Sequence, residues 1–322
     1  MAQDPARETI EPGAAGLPRG RDHDLDSAGD GTVSGQTDKV RSADMRSMKP
    51  DRDICVRKIK IPSEGRNIPA LVLSPKKKTD KTPGILWIHG GGYIAGMKEM
   101  VHMSRAVDLV KKYGAVVFSP GYRMAFETPY PAALDDCYDA LLYLKNHADE
   151  LGIRTDQIMV GGESAGGGLC VAVCMKARDT GDVKIAFQMP LYPMLDDRDT
   201  ETSRDNHGKV WNTRKNHFAW KMYLRNTDKT KVPIYAAPAR CTDFSGLPPA
   251  YTFVGDGEPF FAEAVRYIHK LKKNNIHAEL DIYHSNIHAF DMMYPELEIS
   301  HQAAEKFNRQ FTYAKEHFFA EQ

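Results

Sequence analysis

Short apolar runs alternate with amphipathic segments from residue 54 to the end of the chain. The runs are rich in Val and Ile and are too short for typical helices, which indicates buried strands. The predicted strands are 54–61, 68–74, 84–88, 115–119, 157–160, 185–189, 250–254 and 278–283. Segments whose apolar residues recur at helical spacing predict helices over 100–113, 131–151, 164–178, 259–273 and 300–321.

The order of these elements predicts the fold class. Strands that alternate with helices indicate a mainly parallel sheet covered by helices on both faces. The first two strands are separated only by a turn at 64–66, so we expect them to form an antiparallel edge. The pattern therefore predicts an α/β fold with a mostly parallel central sheet of about eight strands.

Residues 195–232 interrupt this alternation. The segment is rich in charged residues, yet it contains the aromatic residues Trp211, Phe218 and Trp220. Long insertions into compact domains are usually functional or disordered, and the aromatic side chains favour a small helical cap over a pocket. The alternative is a pair of surface helices with no ligand role.

The N-terminal residues 1–48 differ in composition from the rest of the chain. They are rich in Gly, Pro and charges of both signs, and the first aromatic residue of the chain is Trp87. Such a stretch buries too little apolar surface to offset its ordering entropy. We therefore predict a polar, flexible tail over 1–48 and a single folded domain over 49–322.

Net charge and hydropathy narrow the possible partners. The 322 residues include 43 Lys and Arg against 43 Asp and Glu. A net charge of zero gives no electrostatic reason to expect nucleic acid or an anionic membrane as partner. No apolar run reaches the roughly 18 residues of a membrane span, and the N-terminus lacks the apolar region of a signal peptide. We expect neither an integral membrane segment nor secretion by that route.

The five cysteines have irregular spacings and form no CxxC pair. This pattern argues against a disulfide framework or a structural zinc site. Cys170 and Cys174 lie one helical turn apart and are expected to be small buried residues. The pattern suits a reducing cytoplasm.

The first motif that carries chemistry is the Gly-Glu-Ser-Ala-Gly sequence at 162–166. It follows a predicted strand and opens a predicted helix, which is the context of a nucleophile elbow. Ser164 would then sit on a strained turn at the carboxyl end of the sheet, where the helix N-terminus favours negative charge. The alternative is a Gly-rich packing turn.

A second motif, His-Gly-Gly-Gly at 89–92, follows the strand that ends at Ile88. Consecutive glycines leave backbone N–H groups uncovered, as in the oxyanion holes of esterases. A phosphate-binding loop is the rival interpretation, but the Lys and the glycine spacing of such loops are missing. His89 is expected to brace the loop.

A nucleophile elbow requires an acid and then a histidine further along the chain. His288 follows the last predicted strand, where the histidine is expected, and His284 is a rival at the strand end. Asp256 and Glu258 both follow the preceding strand. Pro259 suits the first turn of the next helix and places Glu258 at its entrance, whereas glycines on both sides of Asp256 favour a local turn. Position therefore favours Glu258.

With these motifs in place, the chain from about residue 54 onward resembles a bacterial member of the hormone-sensitive-lipase family of α/β-hydrolases. The motifs that carry the resemblance are those at 89–93, 122–135, 162–166 and 245–250. The resemblance implies the α/β-hydrolase fold with a cap at 195–232, and a homodimer is plausible. It also implies oxyanion hydrogen bonds from the backbone of Gly91, Gly92 and Ala165.

The sequence departs from the family pattern at three positions. Glu163 stands in the elbow where Asp is common, and Ala289 follows the histidine where Gly is common. Glu258 stands where Asp usually supplies the triad acid. Family members usually build part of the cap from N-terminal helices, and the tail of this chain is poor in apolar residues.

Together these features predict a serine carboxylesterase that hydrolyses short-chain esters through an acyl-enzyme, with no metal or organic cofactor. The expected catalytic residues are Ser164, Glu258 and His288. The expected substrate contacts are Tyr93, Trp211, Phe218 and Trp220.

Two other functions stay open. The first is an amide hydrolase of the arylformamidase type, which would use the same machinery. The second is a non-catalytic binder that resembles the plant gibberellin receptor. Loss of the catalytic histidine marks such receptors, and His288 is present.

Overall fold

The computed structural model describes residues 50–77 and 81–322. The predicted tail, residues 1–48, lies outside the described residues. The strands are β1 (Ile54–Ser63), β2 (Arg66–Pro75), β3 (Thr82–Ile88), β4 (Val116–Pro120), β5 (Ile153–Glu163), β6 (Phe187–Leu191), β7 (Ala250–Gly255) and β8 (Ala278–Tyr283). The helices are α1 (Ala106–Tyr113), α2 (Ala132–Asn146), α3 (Ala148–Leu151), α4 (Ala165–Thr180), α5 (Thr213–Tyr223), α6 (Phe261–Lys273), α7 (Phe290–Met293) and α8 (Glu298–His317).

The eight strands form one sheet in the order β1-β2-β4-β3-β5-β6-β7-β8. β1 pairs antiparallel with β2, and β2 pairs antiparallel with β4. Every other pair in the sheet is parallel. The prediction of a mostly parallel sheet with an antiparallel edge is therefore confirmed.

Both faces of the sheet are buried, as strand β3 illustrates. Leu86 and Ile88 point into a core that α2 and α4 cover, while Ile85 and Trp87 point into a second core that α1 and α8 cover. Alternate residues of a strand face opposite sides, so a strand buried on both sides must be apolar throughout. This explains the continuous apolar runs in the sequence.

Two of the predicted helices are divided in the structure, and the last helix, predicted over 300–321, spans Glu298–His317. The helix predicted over 100–113 consists of a 3₁₀ helix at Lys98–Met103 followed by α1. Ser104 separates them, because its hydroxyl donates to the carbonyl of Val101 and accepts from the amide of Ala106. Such local hydrogen bonds compete with a continuous helix. The helix predicted over 131–151 is likewise divided at His147 into α2 and α3.

The cap segment contains one helix, α5, between long irregular stretches. Asn212 begins this helix, and its side chain accepts a hydrogen bond from the amide of Lys215. In the described part of the chain no helix is long and apolar enough to span a membrane.

Candidate active site

Ser164 occupies the sharp turn between β5 and α4. Its backbone lies at φ 57° and ψ −119°, a conformation that costs free energy for any residue with a side chain. A Cβ atom on Gly162 would lie 2.5 Å from the carbonyl oxygen of Ile88, and one on Gly166 would lie 2.0 Å from the same atom. Both elbow glycines are therefore required by close backbone contact.

The hydroxyl of Ser164 is joined to the other two predicted residues by hydrogen bonds. Ser164 Oγ lies 2.8 Å from His288 Nε2. His288 Nδ1 is hydrogen-bonded to the carboxylate of Glu258. All three residues are buried, with exposed fractions of 7% for Ser164, 4% for His288 and 1% for Glu258. Burial raises the pKa of Glu258, and the neighbouring imidazole opposes this rise.

The structure places the rival acid and the rival histidine elsewhere. Asp256 Oδ2 lies 2.9 Å from His284 Nδ1, and Asp256 Oδ1 accepts from the amide of Ser285. Both side chains face solvent. The pKa of Asp256 is lowered mainly by its hydrogen bond to His284, and the pKa of His284 is raised by the same bond. Asp256 therefore accepts hydrogen bonds from His284 and Ser285, which agrees with the local role predicted from its position between two glycines.

The glycine loop 89–92 lies directly against the elbow. A Cβ on Gly90 would meet Cβ of Ser164 at 3.3 Å. Gly91 and Gly92 have φ values of +116° and +61°, which only glycine adopts without strain. The backbone of the loop and the N-terminus of α4 thus lie on two sides of the serine.

His89 stands at the base of this loop. Its ring stacks on Tyr122 at 4.2 Å, and the Tyr122 hydroxyl donates to the carbonyl oxygen of His89. Burial lowers the pKa of His89 to about 4, so the ring is neutral at pH 7. The contacts are those of a residue that braces the loop.

The four aromatic residues expected to contact substrate have different surroundings. Trp211 lies over the glycine loop, since a Cβ on Gly92 would lie 2.2 Å from its indole ring. Phe218 is 47% exposed. Tyr93 and Trp220 pack instead as core side chains, with exposed fractions of 1% and 4%. Of the four, Trp211 is the residue whose ring lies against Gly92 of the glycine loop. The four substrate contacts stay a prediction.

The burial of Tyr93 has a clear cause. Its ring stacks on Tyr223 of α5 with centroids 4.0 Å apart, and its hydroxyl donates to the carbonyl oxygen of Met194. The Tyr93 side chain therefore connects the glycine loop to α5 of the cap. No feature of the sequence predicts this contact.

Sequence reasoning also missed two buried carboxyl groups next to the site. Glu163 accepts a hydrogen bond from Trp87 Nε1 at 2.7 Å, and burial raises its pKa to about 8. Asp291, three residues after His288, is completely buried. Glu163 lies in the 162–166 motif, where the sequence shows only that Glu replaces the more common Asp, and Asp291 belongs to no motif. Acidic residues in such apolar surroundings are rare enough to have been a signal.

A metal centre is not evident at this site. Within residues 50–77 and 81–322, no group of three or more His, Cys, Asp or Glu side chains is arranged to hold a metal ion.

Residues 85–292 match the family described as the alpha/beta hydrolase fold. The chain belongs to this family. The predicted fold and the resemblance to the hormone-sensitive-lipase group of hydrolases are thereby confirmed.

Three relatives of this hydrolase carry informative names. Carboxylesterase NlhH of Mycobacterium tuberculosis is 31% identical over 230 residues, which cover 70% of this chain and 71% of that protein. Esterase LipI of the same organism is 29% identical over 212 residues, 65% of this chain and 66% of that protein. The solved structure of a bacterial heroin esterase superposes with a TM-score of 0.78 and 32% identity, covering 84% of this chain and 86% of that one.

Proposed function

We propose that this α/β-hydrolase is a serine carboxylesterase that hydrolyses short-chain esters through an acyl-enzyme intermediate. The observation that carries the proposal is the continuous hydrogen-bonded chain from Ser164 through His288 to Glu258 at the carboxyl end of the sheet. Relatives named esterase and carboxylesterase support hydrolysis of esters. The enzyme is a carboxylic ester hydrolase.

Acylation begins when Ser164 Oγ attacks the ester carbonyl carbon. His288 Nε2 accepts the hydroxyl proton, and Glu258 holds the imidazole in the required tautomer and stabilises its charge. The oxyanion receives hydrogen bonds from the backbone N–H groups of Gly91, Gly92 and Ala165, each of which contributes roughly 2.7–4 kcal/mol. The intermediate collapses as His288 donates its proton to the leaving alcohol.

Deacylation repeats the same chemistry with water. His288 Nε2 removes a proton from water, which attacks the acyl carbon, and the hydrolysed acid leaves as Ser164 regains its proton from the imidazole. Every proton in the cycle is handled by His288. No step requires a metal or an organic cofactor.

The substrate is a small ester with an acyl chain of roughly two to six carbons. Trp211 lies against Gly92 of the oxyanion loop, so the indole limits the space beside the reacting carbon. The buried stack of Tyr93 on Tyr223 holds the cap close to that loop. A closed site of this kind accommodates a small ligand and leaves no open face for an emulsified lipid.

We assign residues 49–322 to one catalytic domain, with residues 1–48 as a flexible tail and 195–232 as the cap. Five cysteines without a disulfide suit the reducing cytoplasm, where we place the enzyme. A homodimer fits the family resemblance, and no nucleic acid takes part in the proposed reaction.

An acyl-length series of aryl esters tests this proposal with wild type, Ser164→Ala and the control Ser245→Ala. Ser245 is an exposed serine whose hydroxyl donates a hydrogen bond to Asp243. We expect wild type and the control to hydrolyse butyrate esters fastest, while Ser164→Ala shows no measurable hydrolysis. Faster hydrolysis of long-chain triglyceride would contradict the chain length, and faster hydrolysis of matched anilides would favour the amide hydrolase.

A further inference from the structure

The imidazole of His288 is in contact with two aromatic rings. Tyr192 and Phe260 approach it with centroids at 5.2 and 5.0 Å and interplanar angles of 80° and 83°. Both rings are completely buried. Edge-to-face pairs of this kind contribute about 0.5–1.5 kcal/mol beyond their area, so the rings restrict rotation of the imidazole.

Tyr192 is itself fixed by contacts that Phe260 lacks. Its hydroxyl donates a hydrogen bond to Asp291 Oδ1 at 3.0 Å. Its backbone amide donates to the carbonyl oxygen of Phe253. Its φ is +34°, an uncommon value for a bulky residue, which persists only where the surroundings determine it.

Asp291 connects Tyr192 to a distant part of the chain. Asp291 Oδ2 lies 3.3 Å from Nε of Arg105, the residue before α1. Arg105 also donates to Asp108 of α1. Asp291 lies in α7, which begins two residues after His288. The ion pair therefore ties the segment that follows the histidine to the start of α1, which packs on the same face of the sheet.

Arg105 and the Tyr192 hydroxyl both face the carboxyl group of Asp291. Burial raises the pKa of Asp291, and these two groups oppose that rise. Glu163 is a second buried carboxyl nearby, and its pKa of about 8 keeps it neutral at pH 7. Asp291 thus lies in contact with both Arg105 and Tyr192 and links the two side chains.

We propose that Arg105, Asp291 and Tyr192 are positioning residues that hold the imidazole of His288 in line with Ser164. None of the three bonds to the reacting atoms, because Glu258 and Ser164 already occupy the two ring nitrogens of His288. Their effect passes through the orientation of the ring. This inference rests on the proposed esterase mechanism.

The test is Tyr192→Phe, which keeps the ring and removes the bond to Asp291. Tyr251→Phe is the matched control, because Tyr251 is equally buried and donates to Asp281 Oδ2 at 2.9 Å. We expect Tyr192→Phe to lower kcat about tenfold with KM unchanged within twofold, since small misalignment in an active site is costly. The control should keep kcat within twofold, while urea unfolding shows that both variants lose similar stability.

A second variant, Asp291→Asn, keeps an acceptor for Tyr192 but removes the charge that faces Arg105. It should also lower kcat more than KM, and it serves as the test if Tyr192→Phe does not fold. Equal kcat values for Tyr192→Phe, Asp291→Asn and Tyr251→Phe would overturn the positioning role. A wild type with no ester hydrolysis would instead refute the proposed function, so the two failures are distinguishable.

Discussion

Two acid–histidine pairs lie in the same two loops, and only one of them reaches the serine. Glu258 and His288 are buried and join Ser164. Asp256 and His284 bond to each other at the surface, where the His284 side chain is fully exposed. The two acids are two positions apart and the two histidines four, so small differences in sequence position separate a buried pair from a solvated one.

The difference is produced by the backbone. The amides of Asp256 and Gly257 donate to the carbonyl oxygens of Tyr283 and Ser285, so the two loops leave β7 and β8 side by side. Beyond this contact the chain turns inward at Glu258. Residue type alone could not choose between aspartate and glutamate, because hydrolase triads accept either acid. Position relative to the following helix was the informative feature.

The largest contrast is expected between the two histidines. His288→Ala should lower kcat on the order of a million-fold, the loss seen when a triad member is removed from a serine protease. His284→Ala should leave kcat within twofold, because its ring faces solvent and bonds only to Asp256. Steady-state kinetics on a butyrate ester measures both. A large loss in His284→Ala would reverse the assignment.

The two acids should show a smaller contrast. Glu258→Gln removes the charge that stabilises the imidazolium and should lower kcat by up to roughly 10⁴-fold. Asp256→Asn should lower kcat far less, since Asp256 contacts His284 and the amide of Ser285. Measuring kcat for both variants compares them directly. A near-normal Glu258→Gln together with an impaired Asp256→Asn would contradict the proposed triad.

Glu163 is a third carboxyl in this region, and its burial should make the stability of the protein depend on pH. Its pKa is about 8 when folded and near 4.5 when unfolded, so between these values the unfolded state binds fewer protons than the folded state. Stability of the wild type should therefore fall as pH rises through this range, by up to about 5 kcal/mol. The Glu163→Gln variant has no ionisable group at this position, so its stability should fall less over the same pH range.

Urea unfolding of wild type and Glu163→Gln at pH 5 and pH 8 measures this difference. The same change in unfolding free energy for both proteins between the two pH values would show that Glu163 ionises normally.

The smallest expected effect is on stability and comes from the exposed pair of Asp256 and His284. His284, with its raised pKa, contributes stability below its unfolded value of 6.5 and loses it as pH rises through the folded value. Asp256 has a lowered pKa in the folded state. Its contribution to stability is therefore present above its unfolded pKa of 3.8 and is lost as the pH falls through its folded pKa. His284→Gln should therefore destabilise slightly at pH 5.5 and less at pH 8.5. Salt at 1 M should reduce the effect, and an unchanged difference would contradict an ion pair.

The sequence predicted the sheet and the three residues that the structure joins by hydrogen bonds, Ser164, His288 and Glu258, because both depend on local pattern. Buried strands show as apolar runs, and the order of serine, acid and histidine follows from the order of strands in the fold. The glycines of the elbow were also visible in the sequence, but the reason for them is a long-range contact, since a Cβ on Gly162 or Gly166 would clash with the carbonyl oxygen of Ile88.

Contacts between distant segments could not be predicted in this way. Arg105 and Asp291 are far apart in the sequence and meet only after the sheet has formed. The same holds for Tyr93 and Tyr223, whose rings stack although the two residues are far apart in the sequence. Helix 100–113 was misjudged for another reason, because the side-chain hydrogen bonds of Ser104 outweigh the apolar spacing.

The most direct test of the central claim is covalent labelling with an aryl phosphonate followed by peptide mass spectrometry. We expect one adduct per chain, on Ser164, with loss of ester hydrolysis in proportion to labelling. Ser164→Ala should remain unlabelled under the same conditions. An adduct on another residue, or full hydrolysis by a completely labelled enzyme, would contradict the assignment of Ser164 as the nucleophile.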